Sequence, residues 1–185
     1  MDVIDAVRTR IEVREYSDES VDDETKREIL DAGRLASSGH NSQHWQFVLV
    51  DDDEQLSALA DVSPTGGWVG DAAFAIAVCT DPSYPYNEID AGRAITHMQL
   101  VAWEQGIGSC LYTVGDPAAS EVLAVPEEYD LTLVAGFGYP VHQVAGVKDR
   151  EPLSAVAARG SFDSDLELSD RRRSPVTSRT TPNRE

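Results

Sequence analysis

Apolar residues recur along this chain with two periods, and the switches between them predict its elements. Val3, Ile4, Ala6 and Val7 fall at helical spacing, giving a short first helix over 2–10. Asp22 opens a second helix running to about Leu35, with acids in the first turn where the helix dipole favours them. Trp45-Gln46-Phe47-Val48-Leu49-Val50 reads as a strand by composition, and a short helix follows near 53–60. A loop with Pro64 and Gly66-Gly67 leads into the unbroken apolar run Ala73 to Cys79, the pattern of a strand covered on both faces. Proline-rich Asp81 to Tyr86 breaks the chain before a long helix over 88–105. There Ile89, Ala91, Ala94, Ile95, Met98, Val101 and Ala102 form a broad stripe, and Gly106 is a natural stop. Part of that stripe is expected to face a second subunit. A strand at 109–114, a helix near 117–124 and a strand at 131–137 complete the pattern. Strands and helices interleave with both short and long connections, which predicts an α+β, three-layer arrangement.

Charge changes this picture in two ways. The 185 residues carry a formal −18, and Lys26 and Lys148 are the only lysines. Such an acidic shell disfavours general binding to nucleic acid or an anionic membrane. It is the pattern of proteins from salt-loving organisms, where ions screen self-repulsion, although an ordinary soluble acidic protein shares its sign. From Ser161 to Glu185 five acids balance five arginines, so the whole excess lies in residues 1–160. That tail is poor in apolar residues and rich in Ser, Thr, Pro and Arg; it is expected to be disordered, behind one folded domain over 1–160. The start, Met1-Asp2-Val3-Ile4-Asp5, lacks the basic and apolar regions of a signal peptide, and Cys79 and Cys110 sit in apolar surroundings as reduced thiols. The cytoplasm is the expected location. His40, His44, His97 and His142 lack metal-ligand spacing. Gly106-Ile107-Gly108-Ser109 follows a helix and precedes a strand, the reverse of a dinucleotide fingerprint.

Three separated segments carry the candidate chemistry. The first is Arg10-Ile11-Glu12-Val13-Arg14-Glu15-Tyr16, and the second is Ser37-Ser38-Gly39-His40-Asn41-Ser42-Gln43-His44-Trp45. The third is Gly106-Ile107-Gly108-Ser109-Cys110, continued by Gly136-Phe137-Gly138-Tyr139-Pro140 and Lys148-Asp149-Arg150. Taken singly, Arg10 and Arg14 could pair with acidic neighbours, Asn41 and Gln43 could cap a loop, and Lys148 and Arg150 could be surface charge. Scarcity argues otherwise: the acidic body holds ten basic residues, and four of them fall in these segments.

In order and spacing these segments resemble the Arg-x-Ser-x-Arg-x-Phe/Tyr, Pro-Ser-x-x-Asn-x-Gln-Pro-Trp, Gly-x-Gly-Ser-Cys, Gly-Tyr-Pro and Lys-x-Arg elements of the nitroreductase family. The resemblance covers nearly all of residues 1–155. It implies a three-layer α/β/α fold with a mixed, mainly antiparallel sheet and a long central helix at a homodimer interface. It also implies FMN as cofactor, NADH or NADPH as electron donor, and a small-molecule acceptor reached by a ping-pong mechanism. Arg10, Lys148 and Arg150 are expected on the FMN phosphate, where arginine makes strong charge-assisted bonds. Arg14 is expected near N1 and O2 of the ring, where a cation favours the reduced form. Asn41 suits the mixed donor/acceptor edge of the pyrimidine ring, Gln43 is expected among the cofactor-binding residues, and Ser37, Ser38 and Gly39 would reach across from the partner subunit. Leu111, Tyr112 and Thr113 would place backbone groups beside N5. A flavin dehydrogenase that does not use NAD(P)H, or a non-enzymatic FMN-binding dimer, fits the same residues. Two departures stand out. Glu12 replaces the usual Ser, and its carboxylate would repel a phosphate unless it turns away or pairs with an arginine. Ser37 and His44 replace two prolines, which is expected to loosen the loop.

Overall fold

A computed structural model of the chain describes residues 1–114, 117–142 and 148–168. They divide into two compact units, Met1–Lys148 and the part beginning at Asp149. Residues 169–185, most of the tail predicted to be disordered, lie outside the described residues.

The first unit contains α1 (Val3–Thr9), α2 (Asp23–Arg34), β1 (Trp45–Val50), α3 (Asp53–Asp61), β2 (Phe74–Thr80), α4 (Asn87–Glu104), β3 (Gly108–Thr113), α5 (Pro117–Val122) and β4 (Asp130–Gly138). Local chemistry sets the helix starts. Asp2, Asp22 and Asp52 each accept a backbone N–H three residues on, and so cap α1, α2 and α3. Each predicted element is present within about two residues of its expected bounds. Short 3-10 turns at Gly39–Asn41 and Gly67–Asp71 were not expected.

The four strands pair antiparallel in the order β1-β2-β4-β3. One isolated parallel bridge, Glu12 with Ser109, adds the mixed character. Alternation on β2 explains the three layers. Phe74, Ile76 and Val78 point to a core shared with Ile29 of α2 and Ile95, Met98 and Ala102 of α4. Ala75, Ala77 and Cys79 point the other way, to Leu56 and Leu59 of α3, Val69 and Ala119 of α5. All seven residues of β2 are buried, as its unbroken apolar run predicts. A register shift opposite Val78 and Cys79 leaves Thr132 unpaired, so that Leu131 joins Val134 on the α3 side.

Most of the α4 stripe is used within the chain. Ala91, Ala94, Ile95, Met98 and Ala102 are buried, Val101 is half-buried and Ile89 is exposed. Val3 and Val7 of α1 are also exposed. Among the described residues no helix is long and apolar enough to cross a membrane.

The second unit contains the short α6 (Leu153–Val156), preceded by Pro152. Arg159 Nη1 donates to the Glu167 carbonyl at 2.9 Å, and the Ser161 and Ser164 hydroxyls lie 2.6 Å apart.

Candidate functional site

After α1 the chain runs as an extended segment beside β3, the outer strand of the sheet. The Val13 N–H donates to the Ser109 carbonyl at 3.0 Å, and Ser17 N–H donates to Tyr139 at 2.8 Å. Two glycines make this approach fit. A Cβ on Gly108 would stand 2.7 Å from Val13 Cβ, and one on Gly138 would stand 2.9 Å from Tyr16 Cδ1. Tyr16 is buried, with its hydroxyl 2.6 Å from the Val13 carbonyl and 3.2 Å from that of Gly136. Burial, with Cys110 and Glu12 nearby, drives its ionisation well above the usual phenol range. Tyr16 thus packs and pins the segment.

With Val13 turned inward over Gly108, Arg10 and Glu12 come together beside it. Arg10 Nη2 donates to Glu12 Oε1 at 2.7 Å. The carboxylate expected to repel a phosphate is therefore paired with the arginine two residues before it. Arg10 Nη1 is buried and has no hydrogen-bond partner among the described residues. Lys148 arrives from the far end of the same unit and donates its Nζ to the Val7 carbonyl in the last turn of α1. Arg10, whose N–H donates to the Ala6 carbonyl, and Lys148, two of the three residues expected on the phosphate, thus both lie at the C-terminal end of one short helix. Arg150 lies in the second unit, where Nη1 donates to the Asp149 carbonyl at 2.6 Å.

Arg14 is exposed and lines a cleft of about 660 Å³ with Tyr16, Lys26 and the carboxylates of Asp51 and Asp71. On β3, Leu111 packs toward α4, and Tyr112 turns to the opposite core with its ring edge-on to Trp68 at 6.0 Å. The Tyr112 side chain is therefore core, leaving its backbone for any ligand contact. Thr113, exposed at the strand end, lines a second cleft of about 550 Å³ with Asn87, Glu88, Pro117 and Tyr129. Cys79 and Cys110 are both free and buried.

Ser37 to Gln43 form a separate cluster. No hydrogen bond or ion pair among the described residues joins this loop to the Arg10 segment of the same chain. Ser37, Asn41 and Gln43 are exposed, whereas Ser38 and Gly39 are half-buried. His40, Asn41 and Gln43 adopt φ of 52°, 56° and 48°, a left-handed conformation that side chains rarely hold without support. The support is internal. Gln43 N–H donates to Ser38 Oγ at 3.0 Å, and Gly39 N–H donates to Asp90 Oδ2 at 2.9 Å.

Asp90 is the residue that sequence reasoning missed. It sits on α4 with 2 % of its surface exposed and also meets His44 Nε2 at 3.2 Å and Arg93 Nη1 at 2.9 Å. Burial alone would raise its pKa. The Gly39 N–H, His44 and Arg93 together outweigh burial and hold the carboxyl below its ordinary range. His44 stacks on Tyr84, ring centres 5.0 Å apart. The expectation of a loosened loop is thus corrected at this position: His44 ties the loop to α4. A carboxylate four residues before Ala94, on the core stripe of the helix, was the available signal.

Fold and site define a class: a three-layer α+β domain with an arginine-bearing segment laid along the sheet's outer strand. The nitroreductase family model matches residues 7–79 and 64–139. An Archaeoglobus fulgidus protein provisionally named an NADH dehydrogenase/NAD(P)H nitroreductase is 35% identical over 144 residues, covering 72% of this chain and 83% of its own. A Methanothermobacter thermautotrophicus protein of the same provisional name is 31% identical, covering 80% and 82%. Among solved structures, an FMN-dependent nitroreductase from Clostridium difficile superposes with a TM-score of 0.81 at 28% identity, covering 86% of this chain and 100% of that one. The chain belongs to the nitroreductase family.

Proposed function

We propose that this chain is an FMN-dependent oxidoreductase that takes hydride from NADH or NADPH and passes reducing equivalents to a small flat acceptor of nitroaromatic or quinone type. One observation carries the reading: the buried Arg10 Nη1 has no hydrogen-bond partner among the described residues, while Lys148 lies at the same helix end. A buried guanidinium N–H without an acceptor is costly, and a phosphate oxygen satisfies it with a charge-assisted bond. The relatives point the same way, since the archaeal proteins bear NAD(P)H nitroreductase names and the Clostridium difficile neighbour is FMN-dependent.

The chemistry that bound FMN would supply is two-electron transfer from NADH or NADPH to a second substrate, in ping-pong order. The residues of the chain bind and orient. Arg10 and Lys148 hold the phosphate end. Arg14 supplies positive charge to the pyrimidine edge, and the backbone of Leu111, Tyr112 and Thr113 borders N5. In a cytoplasmic homodimer Ser37, Ser38, Gly39, Asn41 and Gln43 complete the other subunit's site. The uncovered apolar side chains Val3 and Val7 of α1 and Ile89 of α4 favour such a partner. The connection between β2 and α4 spans only Asp81 to Tyr86, with Tyr84 stacked on His44, and so leaves an open approach for varied flat acceptors.

The absorption spectrum of purified protein tests the reading, followed by bleaching with NADH and NADPH separately and by light scattering for the dimer. A colourless chain that refuses added FMN defeats it. Steady-state rejection of both a quinone and a nitroaromatic defeats the acceptor class alone.

A further inference from the structure

Resting on the reading that Arg10 meets the FMN phosphate, we propose that Glu12 is a built-in competitor for that phosphate and sets how tightly phosphorylated flavin binds. A guanidinium presents a planar fork, and a phosphate is held best when two of its N–H groups are available together. Here the fork is half engaged. Nη2 donates to Glu12 Oε1 at 2.7 Å, and Nη1 is the buried nitrogen without a partner among the described residues. A phosphate drawn to Nη1 therefore arrives beside a carboxylate already on the same guanidinium.

The backbone cannot relieve that conflict by moving away. Glu12 is bridged to Ser109, the next residue donates to the Ser109 carbonyl, and Val13 is seated against Gly108 with no room for a methyl group between them. The side chain keeps freedom, since 37% of the Glu12 side chain is exposed and can swing toward water. The competition is therefore graded rather than absolute. Neighbouring Cys110 adds no second negative charge, because its buried thiol stays protonated at neutral pH.

The test uses the full chain, titrated with FMN and with riboflavin, which shares the ring and lacks the phosphate. Flavin fluorescence quenching at fixed ionic strength gives each Kd. Glu12→Gln keeps the shape and removes the charge. It is expected to tighten FMN by roughly tenfold and leave riboflavin unchanged, as removal of one nearby like charge implies. Glu12→Ser should move FMN in the same direction, and adding Arg10→Gln should cancel the gain. Thermal unfolding of each variant establishes that it is folded. Equal FMN affinity in the parent and both Glu12 variants overturns the inference while leaving FMN binding intact. Equal tightening of FMN and riboflavin also overturns it, because the effect would not act through the phosphate. Failure of every form to bind FMN overturns this inference together with the functional reading beneath it.

Discussion

The two halves of the candidate site use the same chemistry, a carboxylate against cations, in opposite ways. In the Arg10 segment the ion pair is partly open, with side chains 21% and 37% exposed, and one guanidinium nitrogen has no acceptor among the described residues. At the loop, the Asp90 and His44 side chains are 2% and 1% exposed, and Asp90 is shared among Gly39, His44 and Arg93. Burial decides the role. An exposed pair contributes little to stability and can exchange partners, whereas a buried network is costly to break and fixes geometry. The first region is built to meet something else; the second spends its polar groups on holding itself.

Asp90→Ala should break the comparison most visibly. It removes the acceptor of three groups, one of them on nearly buried His44, and is expected to cost about 3 kcal/mol in denaturant unfolding. Arg10→Ala should do the reverse. Its stability loss should stay below about 1 kcal/mol because the pair is partly exposed. FMN affinity should nevertheless fall by roughly 100-fold in a fluorescence titration, the scale of a lost charge-assisted phosphate contact. If both variants unfolded alike and bound FMN alike, the contrast between the regions would have no content.

Gly108→Ala probes how the open region is positioned. The added methyl would meet Val13 at 2.7–2.8 Å, and Val13 is β-branched and stiff. The segment carrying Arg10, Glu12 and Arg14 must shift off β3. An expected loss of about 1–2 kcal/mol in stability should accompany weaker FMN binding, measured by the same unfolding and titration experiments.

The elements were legible because periodicity is local. The β2 run and the α4 stripe fall where apolar spacing put them, and even the covering of β2 on both faces follows from composition. Strand order was not legible, since the β2–β4 pairing joins residues fifty or more positions apart and no local pattern encodes it. The site divided along the same line. The resemblance implied that Arg10, Lys148 and Arg150 gather on one phosphate, and the fold puts Lys148 on the Val7 carbonyl of the helix that leads into Arg10. The partnership of Glu12 with Arg10 was left open, and although the place of Asp90 on the α4 stripe marked it, its partners Gly39 and His44, 51 and 46 residues away, were not legible. His44 shows the limit of reading a substitution in isolation: the loss of a proline implies freedom until the stacked Tyr84 and the buried carboxylate are seen.

The two cysteines give the smallest and most selective test. Burial raises both thiols from the ordinary 9.0 to about 11, but Glu12 adds to the rise only at Cys110. Because the folded values exceed the unfolded ones, this contribution to stability is intact below pH 9 and is lost as pH climbs through about 11. Unfolding free energy should therefore be flat on the neutral side and fall by less than about 1 kcal/mol at pH 9. Alkylation followed by mass spectrometry between pH 8 and 11 separates the two thiols. Glu12→Gln should make Cys110 react at lower pH while leaving Cys79 in place, and burial should still keep Cys110 above the ordinary value. Equal shifts at both cysteines would mean that the substitution loosened the fold. No shift at Cys110 would mean that the Glu12 carboxylate does not reach into the β3 edge, and the electrostatic unity of the Arg10 segment would go with it.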